Sequence, residues 1–320
     1  MLRFEAGPRK LVATARSRRP PDESRLLQLV YYFYLGGSAL ARALPEGLVY
    51  GTAHLLGTLG ARVSKQRVQV QKNLARVTGE GIGSKRLETL VADAYRSYAR
   101  YWLETFRLVR ENREFFLERT RIGGAENLAS AMAEGRGAIV AIAHLGNWDA
   151  AGAWAGAAGY RIVTVAEPLR PRRMFDFFVG HRAKLGMTIH AAQPGATDVL
   201  ADAARGGALV PILADRDLRA RGPVVEFFGE EANFPAGPAI VALKSGSPLL
   251  VAGIYSEVVN GKRGWLIEFG GPLPVTSERS DAGIAEVTQR IAHALEDLVA
   301  KRPEEWHVFQ PFWRADRAPR

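Results

Sequence analysis

The chain has 320 residues, 47% of them hydrophobic, and a formal net charge of +10 from 43 Lys and Arg against 33 Asp and Glu. That length buries a substantial core. The absence of cysteine excludes disulfides, thiolate metal sites and a cysteine nucleophile, while the basic balance suits polyanions: anionic lipid headgroups, nucleotide-linked donors or nucleic acid.

Residues 1–24 read as a flexible basic arm that closes on the turn signal Arg19-Pro20-Pro21-Asp22. They hold no compact apolar region followed by a small-residue cleavage site, so no secretory signal is expected. Leu26–Ala41 follows as a charge-free stretch broken by Gly36-Gly37. A spanning helix needs roughly 20 apolar residues, so the stretch is read as an interfacial or buried helix. Its Tyr31, Tyr32, Phe33 and Tyr34 suit the bilayer interface as well as a core.

Three or four helices fit a helical part over 25–110: Leu26–Leu44, Glu46–Val63, Lys65–Val77 and Ser84–Arg110, the last capped by Ser84. A second part, 120–314, alternates short apolar runs with helical stretches. Strands are expected at Ala138–Ala143, Arg161–Ala166, Ala208–Ala214, Pro248–Tyr255 and Trp265–Phe269. Helices are expected at Ala125–Glu134, Asp149–Ala158, Pro171–Leu185, Thr197–Ala204, Gly237–Ser245 and Asp281–Lys301. This alternation defines one α/β domain over 25–320, a mostly parallel sheet flanked by helices.

The segment Ala143-His144-Leu145-Gly146-Asn147-Trp148-Asp149 carries the chemistry. A buried strand runs into it and a helix leaves it, which places His144 at the carboxyl end of a strand, where open α/β sheets bind ligands. Histidine titrates near neutrality and can take a proton from an attacking hydroxyl. A carboxylate beside it would fix the tautomer, and Asp149 is near enough across a strand–turn–helix joint, with Gly146 permitting the turn. Amide N–H groups around Asn147–Asp149, at the helix N-terminus, could receive a developing oxyanion. A His and an Asp five apart also occur by chance, so the spacing alone leaves a purely structural pair open. The remaining histidines show no metal-ligand spacing, and no metal is expected.

The HLGNWD segment resembles the H-x4-D/E motif of the glycerolipid acyltransferases. More closely, the chain resembles the late lipid A acyltransferase type, and within it the actinobacterial phosphatidylinositol mannoside acyltransferases. The likeness rests on SYARYWLETFRL (Ser97–Leu108), AHLGNWDAAGAW (Ala143–Trp154), VAEPLRP (Val165–Pro171), HRAKLGM (His181–Met187), ADRDL (Ala214–Leu218), VEFFGE (Val225–Glu230), FPAGPA (Phe234–Ala239) and EEWHVFQPFW (Glu304–Trp313). The resemblance implies that His144 is the general base and Asp149 the motif carboxylate. It implies an active-site arginine at Arg182 and a cleft-lining acid at Glu167. It puts Asp215 where the mannoside enzymes carry a glutamate that contacts the histidine, which leaves open whether Asp149 or Asp215 orients His144. Trp148 lies beside the histidine in sequence, and Phe234-Pro235 resembles the family's substrate-cleft turn. Arg216, with Arg219 and Arg221, is read either as a contact to donor phosphates or lipid headgroups or as a solvated loop.

Taken together, these readings imply transfer of a palmitoyl-type group from acyl-CoA to a mannose hydroxyl of an anionic phosphatidylinositol mannoside. No cofactor is needed beyond the donor. The expected enzyme is a monomer, peripheral on the cytoplasmic face of the cell membrane, with an apolar tunnel for the acyl chain near His144. A lipid A precursor or a glycerolipid is the alternative acceptor, and a non-catalytic membrane lipid-binding protein the alternative class. Charge alone suggests nucleic acid, but no RNA-type aromatic motif accompanies it.

Overall fold

A computed structural model describes residues 25–217, 220–276 and 278–317; the basic arm expected over 1–24 lies outside them. The chain opens with four helices, α1 Arg25–Ala43, α2 Glu46–Val63, α3 Arg67–Thr78 and α4 Lys85–Leu108, followed by the short α5 Arg113–Glu118. Ser84 caps α4 as expected, accepting the Leu87 N–H. Leu87, Val91, Ala94 and Tyr101 then recur at helical spacing and are buried. α1 divides its two faces. Tyr34 packs edge-on against Trp102, Phe106 and Phe178, whereas Leu29, Tyr32, Phe33 and Leu40 are exposed.

The remainder forms a seven-stranded sheet ordered β1-β9-β8-β2-β5-β3-β4. Its strands are β1 Thr120–Gly123, β2 Ala138–Ile142, β3 Ile162–Ala166, β4 Met187–Ala191, β5 Leu209–Leu213, β8 Leu249–Val259 and β9 Lys262–Phe269. β8, β2, β5, β3 and β4 run parallel, and the β9–β1 pair runs antiparallel to them through the β8–β9 contact. In β2 the period of two is visible in the burial. Ile139 and Ala141 face one core with α9 Ala196–Arg205, α10 Gly237–Ser245 and α11 Asp281–Lys301. Ala138, Val140 and Ile142 face another with α5, α6 Ala125–Ala133 and α7 Trp148–Ala157. The helix α8 Arg172–Lys184 joins β3 to β4.

Several elements escape the sequence reading. β1 and β4 are edge strands of mixed polarity, and the charged strands β6 Val224–Phe227 and β7 Glu230–Asn233 pair antiparallel in a separate sheet. β8 and β9 form a hairpin rather than two independent strands, with Val259 opposite Lys262. The two-residue loop is Asn260-Gly261, both at positive φ, the pattern a tight hairpin turn requires.

Two registers position the site. Ile142 of β2 pairs with Leu213 of β5, so two residues further on His144 and Asp215 stand side by side. β3, next to β5 in the sheet, delivers Glu167 to the same carboxyl-end edge.

Candidate active site

Gly146 makes the strand-to-helix turn at φ +61°, and a Cβ there would meet the Ile254 carbonyl oxygen at 2.1 Å; glycine is required for this approach. The C-terminal segment braces the turn from the other side. Gly146 N–H donates to the Glu305 carbonyl at 2.9 Å, and the His307 N–H to the His144 carbonyl at 2.7 Å. Asn147 caps α7 by accepting the Ala150 N–H at 3.0 Å. Its amide donates to Glu104 at 2.9 Å, a buried carboxylate that also receives the Tyr50 hydroxyl and the Trp265 indole N–H.

His144 pairs with Asp215, not with Asp149. Nδ1 lies 2.6 Å from Asp215 Oδ1, and the His144 backbone N–H donates to Oδ2 at 3.0 Å. The Trp306 indole N–H completes the carboxylate at 2.8 Å. Burial alone would raise the Asp215 pKa, but the His144 charge and these hydrogen bonds outweigh it and hold the carboxyl below its ordinary range. With Nδ1 engaged, Nε2 has no hydrogen bond among the described residues. The residue is largely buried, with 11% of its side chain exposed. The edge of Trp148 stands against it, ring centroids 5.3 Å apart.

Asp149 serves a different pair. Arg182 Nε donates to Oδ1 at 2.6 Å and its second nitrogen to Oδ2 at 3.2 Å. The Tyr101 hydroxyl adds a third bond at 3.0 Å. Burial would raise the Asp149 pKa, and Arg182 reverses it to a value below the usual carboxylate range. Arg182 is in turn held protonated: burial lowers its pKa, and Asp149 more than restores it. The motif carboxylate thus anchors α8 and α4 to the start of α7, and Trp148 lies over Tyr101 with ring centroids 4.2 Å apart.

The other expected residues are scattered around this centre. Glu167 is exposed, and Arg216, half-buried beside Asp215, has no ion-pair partner among the described residues. Phe234 has no exposed surface and packs against Phe227 and Phe312, so its side chain supports the core rather than facing a ligand; Pro235, next to it, is half-buried. Two residues that the sequence reading gave no site role, though they fall in the quoted piece Glu304–Trp313, stand beside His144. His307, brought in by the C-terminal segment, accepts or donates through Nε2 to Ser97 at 2.9 Å and packs beside Trp148; burial pushes its pKa well below the ordinary value. Trp306 reaches Asp215 from the same segment. Among the described residues no acid–histidine cluster could hold a metal ion.

A hydrogen-bonded His144–Asp215 pair thus stands at the carboxyl ends of two adjacent parallel strands, where the chain turns into α7. The chain belongs to the bacterial lipid A biosynthesis acyltransferase family, whose model matches residues 19–315, and it is an acyltransferase. It is 35% identical over 289 residues to a phosphatidylinositol mannoside acyltransferase of Mycobacterium tuberculosis, covering 88% of each chain. A protein of the same name from Mycolicibacterium smegmatis is 33% identical over 286 residues, covering 88% of this chain and 91% of the other. Among solved structures, the 1-acyl-sn-glycerophosphate acyltransferase of Thermotoga maritima superposes with a TM-score of 0.35 at 11% identity, over 72% of this chain and 95% of that one.

Proposed function

We propose that the protein transfers a long-chain acyl group from acyl-CoA to a mannose hydroxyl of a phosphatidylinositol mannoside, with His144 as general base. The observation that carries this reading is the His144–Asp215 pair, bonded through Nδ1 with Nε2 left for a substrate. Nε2 takes the proton of the mannose hydroxyl as its oxygen attacks the thioester carbonyl. The tetrahedral intermediate then collapses, the carbon–sulfur bond breaks, and the imidazolium returns the proton to the CoA thiolate. Asp215 stabilises the imidazolium in between. No acyl-enzyme forms, which agrees with a sequence that has no cysteine. In this reading the amides at the start of α7 receive the developing oxyanion, and Arg216, which has no ion-pair partner among the described residues, meets a donor phosphate.

The same reading puts the protein on a membrane surface. No described helix is long and apolar enough to cross a bilayer, yet Leu29, Tyr32 and Phe33 of α1 and Leu48, Leu55, Leu56 and Leu59 of α2 are exposed. Exposed apolar and aromatic residues along two successive helices, with arginines beside them, are the composition of an interfacial surface. The acceptor names carried by the mycobacterial relatives and the mannoside-type sequence pieces favour a mannosylated phosphoinositide over a lipid A precursor or a glycerolipid.

Mass spectrometry of products formed from a panel of mannosylated phosphatidylinositols, a lipid A precursor and a lysophospholipid, each with a mixture of acyl-CoAs, tests the assignment. An acyl mass added on mannose is the expected result. Acylation confined to another acceptor would reassign the substrate, and no acylation from any thioester would remove the donor.

A further inference from the structure

α2 and α4 cross with their backbones touching. Gly57 has no side chain because a Cβ there would lie 2.4 Å from the Arg96 Cα. Beyond this crossing the helices diverge, and a cleft of about 390 Å³ opens between α2, α3 and α4, lined by Thr58, Ala61, Arg62, Arg67, Glu88 and Arg96. The cleft lies on the face of α4 that carries Glu88 and Arg96, not on the face whose Tyr101 meets Asp149.

Its charges are unequally satisfied. Both oxygens of Glu88 are occupied, one by Arg67 and the other by Gln71 at 2.6 Å. Arg96 spends Nε on Thr58 at 3.0 Å and one terminal nitrogen on Asp93 at 2.8 Å, which leaves its second terminal nitrogen. Arg62 has no partner among the described residues and is exposed at the mouth of the cleft. A fork of unfilled guanidinium donors with its nearby acid already neutralised is a site for an anion.

The surroundings say which kind of anion. Leu55, Leu59 and Arg62 recur at i, i+4, i+7 and so share one face of α2. Leu55 is 58% exposed and Leu59 46%, and Val63 (78%) and Val68 (62%), next in sequence to the lining residues Arg62 and Arg67, are exposed as well. A free anion has no use for such a border, whereas a phospholipid presents a phosphate at the level where its acyl chains begin.

We propose that this cleft is a second lipid site, apart from the His144 centre, in which Arg62 and Arg96 hold the phosphate of an anionic phospholipid of the bilayer while its chains lie along Leu55, Leu59 and Val63. The site rests on the membrane-surface reading above and adds to it a preferred lipid and a fixed seating of α2.

Vesicle co-sedimentation of the full chain tests both separately. Three vesicle types are used: phosphatidylcholine alone, phosphatidylcholine with phosphatidylglycerol, and the latter with millimolar inorganic phosphate as competitor. Wild-type protein is expected to bind neutral vesicles through its apolar face and anionic vesicles more tightly. Arg62→Gln, at an exposed position, is expected to lose about fivefold of the anionic preference and none of the neutral binding. Arg86→Gln removes the same charge from an exposed position of α4 and is expected to keep the preference. Equal losses in the two variants, or none in Arg62→Gln, overturn the site and leave the docking face intact. Displacement by inorganic phosphate makes it a free-anion site and overturns the lipid assignment. Failure of wild-type protein to bind any vesicle overturns the docking reading and the site with it.

Discussion

The Asp215 carboxylate lies 2.6 Å from His144 Nδ1 across two adjacent parallel strands and simultaneously accepts the histidine's own backbone N–H. One acid therefore fixes both the ring and the strand tip that carries it. Asp215→Asn keeps the shape and removes the negative charge that stabilises the imidazolium. A fall in kcat of about 10²- to 10⁴-fold is expected with little change in fold, measured by product formation under saturating substrates. An Asp215→Asn enzyme with near-normal kcat would show that the pair is structural.

Asp149 is expected to behave differently, because its partner is Arg182 rather than the base. Asp149→Asn leaves a guanidinium with 20% of its side chain exposed and no carboxylate opposite. A loss of about 3 kcal/mol is expected, measured by chemical denaturation. The double variant Asp149→Asn/Arg182→Met is expected to be more stable than Asp149→Asn alone, since the orphaned charge is gone. If the two changes add, the pair carries no coupling and the motif acid needs another role.

Gly146→Ala tests the turn. The added Cβ at φ +61° would overlap the Ile254 carbonyl oxygen, so the strand tip must move. A destabilisation of about 1–3 kcal/mol is expected together with a loss of activity larger than the stability change explains. Wild-type turnover in the alanine variant would mean that His144 needs no such placement.

Stability should fall on mild acidification. His307 is buried and held neutral, its pKa pushed well below the ordinary value near 6.5 by burial. Below that ordinary value the unfolded chain takes up a proton that the folded chain refuses. The contribution is thus fully present above about pH 6.5 and is lost as pH falls toward the lowered folded value, at up to about 1.4 kcal/mol per pH unit. His181, shifted down by burial against the opposing pull of Asp149, adds to the slope. Denaturation curves between pH 7.5 and 5.5 should therefore steepen in wild-type protein and flatten, without becoming level, in His307→Gln. An unchanged slope in that variant would assign the titration elsewhere.

The parts of this fold that sequence made legible are those with local signals. β2, β3, β5 and β8 are apolar runs bounded by turn residues, and α4 announces itself by its capping Ser84 and a 3.6-residue period. β1, β4 and the β6–β7 hairpin are short and carry polar or charged residues, because edge strands face water on at least one side. They have no apolar run to detect. The same contrast holds at the site. His144 was visible because a buried strand empties into a glycine turn. Its partner has no local signal: resemblance offered Asp215 beside Asp149 and left the choice open, because Asp215 is 71 residues away and meets the ring through strand register, whereas Asp149, five residues off, bonds Arg182. His307 and Trp306 arrive with the C-terminal segment, folded back over the turn by backbone bonds at Gly146 and His144, and no spacing rule reaches that far. Phe234 shows the converse: within a piece that resembles a substrate-cleft turn, its ring is buried against Phe227 and Phe312.

The central claim is that one imidazole, at the tip of β2, removes the acceptor proton. Its most direct measurement is the single-turnover rate of acyl transfer from palmitoyl-CoA to a vesicle-borne phosphatidylinositol mannoside by His144→Ala, with circular dichroism confirming a folded protein. Transfer reduced by at least about 10²-fold in a folded variant is the predicted result. Transfer at the wild-type rate from the same folded variant would contradict it.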